Sequence, residues 1–169
     1  KYIVDGGQTL RFSPRHPHSI LQMSTMDFAL KETQTRFYAL DLKNMAEHFS
    51  VDDAFNLVKL SVKDADKEGS LRYIVSTYDP YDQIIRDGYY PGGRKILSFC
   101  NILQHDVFPL ASTLDHLLGI GQREMGRPVE IEFAVNIDPS DPKKATFYLL
   151  QIRPIVDNKE VMDEDLTLV

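Results

Sequence analysis

The stretch 126-GRPVEIEFAVNIDPSDPKKATFYLLQIRPIV-156 decides the fold. It reads as two strands joined by a long polar turn. In the first, Val129, Ile131, Phe133 and Val135 alternate with Glu130, Glu132 and Ala134. In the second, Tyr148, Leu150 and Ile152 alternate with Phe147, Leu149, Gln151 and Arg153. Successive side chains on a strand point to opposite faces, so Glu130 and Glu132 share one face, as do Gln151 and Arg153. Pairing as an antiparallel hairpin would lay those polar faces side by side. Two carboxylates, an amide oxygen and a guanidinium would then occupy one patch. Carboxylate and amide oxygens suit Mg²⁺, which also takes oxygens from a bound phosphate. A guanidinium suits phosphate oxygens. The patch has the donor set of a Mg-nucleotide site. Its structural alternative is a half-buried strand pair whose arginine forms a cross-strand ion pair with a glutamate.

Glu-Ile-Glu-Phe followed by Leu-Leu-Gln-Ile-Arg-Pro-Ile resembles the end of the ATP-binding domain of the phosphoenolpyruvate synthase and pyruvate phosphate dikinase family. That family shows an acidic-x-Glu-aromatic strand and then a Leu-Gln-x-Arg-Pro strand. The resemblance implies that Glu132 and Gln151 hold Mg²⁺ and ATP and that Arg153 contacts the phosphates as the catalytic group. Glu130, standing where the family has Asp, would be a supporting acidic group. The connection from Asn136 to Ala145 is longer than expected for the family, and Asp138, Pro139, Asp141 and Pro142 make it a turn-rich tip. The specific part of the resemblance covers roughly Val107 to Val156.

Composition bounds the alternatives. The 169 residues suffice for one domain with a proper core, and 43% apolar and 26% charged residues are ordinary for a globular chain. A net charge of −6 argues against non-specific nucleic-acid binding. The single cysteine, Cys100, excludes an internal disulfide and a cysteine-based zinc cluster, and fits a cytoplasmic setting. No apolar run approaches a membrane span and no signal-peptide pattern is present. A chain that begins Lys-Tyr-Ile-Val, in an apolar run and without Met, is expected to be a fragment of a longer protein.

Along the chain, Tyr2–Val4 and Thr9–Phe12 read as short strands about an Asp5-Gly6-Gly7 turn. Arg15-His16-Pro17-His18 reads as a solvated tip, since two histidines without a third ligand make no zinc site. Met26–Leu30 suits a short helix and Thr35–Leu42 a strand. Met23, Met26 and Met45 read as packing residues. Ser50-x-x-Asp53 is an N-cap signature before Ala54–Val58. Val58, Leu60 and Val62 alternate as a strand; Asp64–Gly69 reads as a hairpin tip and Leu71, Tyr73 and Val75 as the returning strand. The Asp spacing of that tip lacks the distal Glu of a calcium loop. Tyr78–Gly93 reads as a loop with one helical turn near Ile84-Ile85. Pro91-Gly92-Gly93-Arg94-Lys95 lacks Walker spacing and reads as a turn leading into a strand over Ile96–Cys100. Gln104–Glu124 is the strongest helix, with Pro109 in its first turn, His105 and His116 along it and Gly126 as its stop.

The expected architecture is α+β, an antiparallel sheet with one long helix, resembling the C-terminal half of an ATP-grasp domain over residues 1–156. Residues 157–169 read as an acidic linker or tail. The resemblance implies ATP-dependent phosphoryl transfer to a histidine on a swivelling domain, which passes the group to a pyruvate-binding domain that makes phosphoenolpyruvate. Both partner domains would belong to the same longer chain, since no Gly-Gly-x-x-x-His segment occurs here. The fragment by itself is expected to be inactive. A degenerate nucleotide-binding scaffold, or a sibling dikinase with another acceptor, are the alternatives.

Overall fold

The computed structural model describes residues 6–42, 56–67, 71–138 and 140–156. The expected strand at Tyr2–Val4, the helix start at Ser50 and the tail from residue 157 lie outside them, as does Met45. The chain divides into two compact units, Lys1–Ala111 and Ser112–Val169.

The first unit is built on small antiparallel sheets. Thr9–Phe12 forms no strand. There the Gln22 side chain takes the place of a ladder partner: its Oε1 accepts from Arg11 N at 2.7 Å and its Nε2 donates to Thr9 O at 2.8 Å. Helix α1 (Met26–Glu32) follows, capped by Thr25, whose Oγ1 accepts from Phe28 N at 3.2 Å. Strand β1 (Arg36–Leu40) then pairs antiparallel with β2 (Leu57–Ser61), from Arg36 opposite Ser61 to Leu40 opposite Leu57.

The expectation of a hairpin tip at Asp64–Gly69 is overturned over Asp64–Lys67, while Glu68 and Gly69 lie outside the described residues. Val62 ends the alternation and opens helix α2 (Val62–Lys67). Ser61 is its cap. Its Oγ accepts from Lys63 N at 3.2 Å, while Asp64 Oδ2 accepts from Ser61 N at 3.0 Å. This is a reciprocal capping box that uses Asp in place of Glu, and it makes Val62 a core residue of a helix instead of the last residue of a strand. Ser61→Ala is expected to cost about 1 kcal/mol of stability, read as a shift in urea midpoint without a change in slope.

Residues 71–74 form a turn, and the strand expected at Leu71 begins at Val75. Strand β3 (Val75–Asp79) is the centre of a three-stranded sheet, flanked by β4 (Ile84–Asp87) and β5 (Arg94–Leu97). The Ile84-Ile85 dipeptide is therefore strand, not a helical turn. Asp79 closes the β3–β4 hairpin by accepting from Tyr81 N at 2.9 Å and Asp82 N at 3.3 Å, and Gln83 takes φ 53°. Val75 and Ile96 are fully buried. Val62, Leu71, Val75 and Leu97 pack as one cluster with Ala65, Ile74 and Phe99 at its margin, which seats α2 on the sheet. Leu97 N, on the open side of β5, donates to Thr33 Oγ1 at 3.0 Å.

Gly92 and Gly93 turn the chain into β5 with φ of 74° and 64°, so the Gly-Gly pair is the strand-leading turn that the sequence suggests. The long helix is shorter than expected. Cys100–Leu103 forms a separate helix, α3, which Phe99 leads into at φ 54°. Asp106 at φ 51° breaks the chain before α4 (Leu110–Met125) begins just past Pro109. His105 thus sits between the two helices, not on one. Gly126, at φ 67°, ends α4.

The second unit holds most of α4 and a hairpin of β6 (Val129–Asn136) and β7 (Thr146–Pro154). A Cβ built at Gly121 would lie 2.7 Å from Val129 Cγ2 and 2.8 Å from Ile152 Cδ1, so α4 approaches the hairpin closely at this glycine. Val129 is buried and Ile152 half-buried, on the face turned to the helix. The fold is mixed α+β, but as three separate small antiparallel sheets and four α-helices among the described residues, not one sheet against a single long helix. No helix among the described residues is long and apolar enough to cross a membrane.

Candidate functional site

The hairpin register puts the polar residues opposite one another. Glu130 pairs with Arg153 and Glu132 with Gln151, with Ile131 opposite Ile152 between them. All four polar residues are exposed. Directly opposed residues of an antiparallel pair hold their Cβ atoms about 4.5–5.5 Å apart, close enough for short polar side chains to share one ligand. The opposite face carries Val129 and Ile152, so the polar patch points away from α4.

Arg153 Nε is hydrogen-bonded and ion-paired with Glu130 Oε1. Both side chains are about half-exposed (59% and 50%), so the pair is solvated and worth about 0–1 kcal/mol. The cross-strand ion pair weighed as the structural alternative is therefore present. It occupies Glu130 and leaves Glu132 opposite an amide. Among the described residues no group of three or more His, Cys, Asp or Glu could hold a metal. A divalent ion on this patch would rest on Glu132 and Gln151 alone, with the rest of its shell from phosphate and water. Mg²⁺, which dehydrates reluctantly and keeps several waters, tolerates so few protein ligands.

One feature of the patch departs from strict alternation. The register slips between Glu132 and Phe133: Glu132 faces Gln151, whereas Phe133 faces Leu149. Leu150 is the extra residue of a β-bulge on β7 and is largely exposed. Past a bulge the faces exchange. Phe147 and Leu149 leave the Gln151 face and join Phe133. The Phe133 and Phe147 rings stack with centroids 5.2 Å apart and planes 13° from parallel. Tyr148, opposite Ala134, moves onto the face of Glu132. Alternation hid this tyrosine; the signal was the run of four apolar residues, Phe147–Leu150, which period two cannot place on one buried face. At the hairpin tip, Asp138 accepts from Ser140 Oγ at 2.6 Å and Ser140 N at 2.8 Å, which holds its carboxyl below the usual range.

A second constellation joins serine, aspartate and histidine in the first unit. Ser76 Oγ lies 2.7 Å from Ser98 Oγ, 3.2 Å from Cys100 Sγ and 3.3 Å from Asp87 Oδ1. His105 Nε2 lies 3.2 Å from Asp87 Oδ2. In a nucleophile relay the histidine touches the hydroxyl and the carboxylate backs the histidine. Here the carboxylate stands between the two, and Ser76 is fully buried. The group satisfies buried hydroxyls and provides no activated nucleophile. His16 and His18 are exposed, as expected, in a turn where His16 N donates to Ser13 O at 3.0 Å.

Comparison of the chain with protein-family models, with curated proteins and with solved structures gives no match.

Proposed function

We propose that this chain is the Mg-nucleotide-binding part of an ATP-dependent phosphotransferase of the phosphoenolpyruvate synthase/pyruvate phosphate dikinase type. In this reading it belongs to a longer cytoplasmic polypeptide whose histidine-bearing and pyruvate-binding domains lie elsewhere. The reading is supported by the sequence resemblance and by one observation: Glu132 and Gln151 are register partners, exposed on the face that also carries Glu130 and Arg153. Glu132 and Gln151 would hold Mg²⁺ against phosphate oxygens, and the ion would neutralise phosphate charge. Arg153 would exchange part of its pairing with Glu130 for a phosphate oxygen. Both partners are charged, so the exchange keeps a charge-assisted hydrogen bond. Glu130 would then orient the guanidinium from one side. Tyr148 adds an aromatic ring on the same face. In phosphoryl transfer the protein mainly positions groups and neutralises charge, which is work that residues fixed on paired strands can do.

The Glu130–Arg153 pair favours a second reading, a nucleotide-binding scaffold that does not transfer phosphate. Labelled ATP separates the two. The full polypeptide, incubated with Mg-ATP labelled at the β or γ phosphate, is expected to retain acid-labile label from the β position. Protein that binds ATP yet retains neither label would assign the scaffold. In the same assay Glu132→Gln should raise the Mg²⁺ concentration needed for half-maximal labelling by about tenfold or more, since a ligand oxygen loses its charge.

A further inference from the structure

The polar face of the β6–β7 hairpin is a strip of register pairs. From α4 towards the tip it carries Glu130 with Arg153, Glu132 with Gln151, Ala134 with Tyr148, and Asn136 with Thr146. Successive rows on one face of a strand are about 6.5–7 Å apart, twice the rise per residue. Every charge of the strip stands in its first two rows. The third and fourth rows are neutral, and the third pairs the strip's one aromatic side chain with its smallest.

Tyr148 is 49% exposed, and Ala134 opposite it is exposed as well. A half-exposed tyrosine on a sheet is ordinarily a surface residue. Two observations set this one apart. First, the bulge at Leu150 brings it onto this face; unbroken alternation would put Phe147 and Leu149 beside Gln151 instead. Second, its neighbours here are not the apolar groups against which a ring packs. Phe133, Phe147 and Leu149 share the other face, where the two phenylalanines stack on each other. Ala134 extends one carbon from the backbone, so the third row has room for a flat ligand group beside the tyrosine.

We propose that Tyr148 is the residue on which the base of the bound nucleotide stacks, an inference that rests on the Mg-nucleotide reading of this face. With Mg²⁺ on Glu132 and Gln151, the phosphates lie over the first two rows. The neutral rows fix the direction of the rest of the ligand, which runs towards the hairpin tip. The ribose spans the step from the second row to the third. The base then lies on the Tyr148 ring, over the space that Ala134 leaves. Two steps, about 13 Å, separate the metal row from the fourth row, which is enough strip for a ribose and a base. Every base has a π-face, so such stacking favours a nucleotide over bare polyphosphate without choosing among bases. Tyr148 is thus a binding residue whose effect is separable from those of Glu132, Gln151 and Arg153 on the phosphates.

The test is titration of the full polypeptide with Mg-ATP and, separately, with magnesium tripolyphosphate, which has the phosphates and no base. The wild type is expected to bind Mg-ATP about tenfold or more tightly than tripolyphosphate, the scale of one base stacked on one ring. Tyr148→Ala should weaken Mg-ATP about tenfold and leave tripolyphosphate within about twofold. Mg-GTP should lose affinity in Tyr148→Ala by a similar factor, because stacking is base-tolerant. Tyr148→Phe keeps the ring and should bind all three ligands as the wild type does. A residue needed only for structure would weaken nucleotide and tripolyphosphate together. Equal binding of Mg-ATP and tripolyphosphate by the wild type, or a Tyr148→Ala variant that changes both alike or neither, would overturn the assignment of Tyr148 and leave the metal-phosphate reading standing. Wild-type protein that binds neither ligand, or that binds both with affinities unchanged by Arg153→Ala, would remove that reading and this inference with it.

Discussion

Arg153→Ala is expected to lower phosphoryl transfer by roughly 10²–10³-fold while leaving stability nearly unchanged, by analogy with removal of one preorganised charge-stabilising group. The two halves of this expectation have separate physical origins. The ion pair with Glu130 is half-exposed, and such pairs contribute about 0–1 kcal/mol because solvation of the separated charges offsets their attraction. Removing the guanidinium leaves Glu130 in water, not in a buried site. Under the proposed function its effect on transfer would be different in kind, because the developing charge on the phosphoryl group would lose a fork-shaped donor held on a paired strand. Arg153→Lys should recover only a small part of the rate, since an ammonium cannot present two parallel N–H groups. The measurements are single-turnover transfer of labelled phosphate and urea denaturation on the same preparations. A variant that loses stability but transfers at the wild-type rate would assign Arg153 to the ion pair alone.

Gly93→Ala is expected to destabilise the first unit by about 2–5 kcal/mol, combining strain at positive φ with an overlap that cannot relax. At φ 64°, a non-glycine residue is in the left-handed region. The added Cβ would also lie 2.5 Å from Tyr78 O and 2.8 Å from Thr77 Cγ2. Tyr78 is the register partner of Arg94 on the central strand of the sheet, so its carbonyl is held by the ladder and cannot swing aside. Gly92 provides the internal control. It has a similar φ of 74°, but its Cβ would meet nothing within 4 Å. Gly92→Ala should therefore cost only the left-handed penalty of about 1–2 kcal/mol. Urea midpoints of the two variants isolate the overlap: equal losses would mean that Gly93 is needed for its conformation alone.

The hairpin was legible in the sequence because two signals agree there. Alternation places Glu130 with Glu132 and Gln151 with Arg153, and the Asp- and Pro-rich tip fixes where the chain reverses. What alternation could not supply was the bulge. Leu149-Leu150 reads the same with or without an unpaired residue, and the pairing register, with Phe147 stacked on Phe133, shows which way the faces exchange. Helix α1 and strand β1 were likewise readable from local pattern.

Elsewhere local signals competed. Asp64-Ala65-Asp66-Lys67 reads as a turn by composition, yet Ser61-x-x-Asp64 is a capping box, and a satisfied cap outweighs weak turn preference. Ile84-Ile85 was obscured by its short, turn-rich surroundings. Its strand character comes from pairing with β3, a tertiary fact. The helix expected from Gln104 ignored Asp106, whose positive φ carries no sequence signature stronger than the tolerance of aspartate for that region. A cavity beside the Gly-Gly turn was invisible for another reason. Asp66 and Lys63 line one cavity of the first unit with Arg94 and Lys95 because Val62 of α2 packs against Leu97 of β5, and no spacing rule links positions so far apart in the chain.

A paramagnetic probe tests whether the exposed face of β6 and β7 holds a metal nucleotide, as proposed. Mn²⁺ with ATP, added substoichiometrically to isotope-labelled protein, broadens the amide resonances nearest the metal. The expected result is broadening centred on Glu130–Glu132 and Gln151–Arg153, with Mn²⁺ alone producing much less and excess Mg²⁺ with ATP reversing it. Broadening that leaves these two segments untouched, or that is the same without ATP, would exclude a metal-nucleotide site on this face.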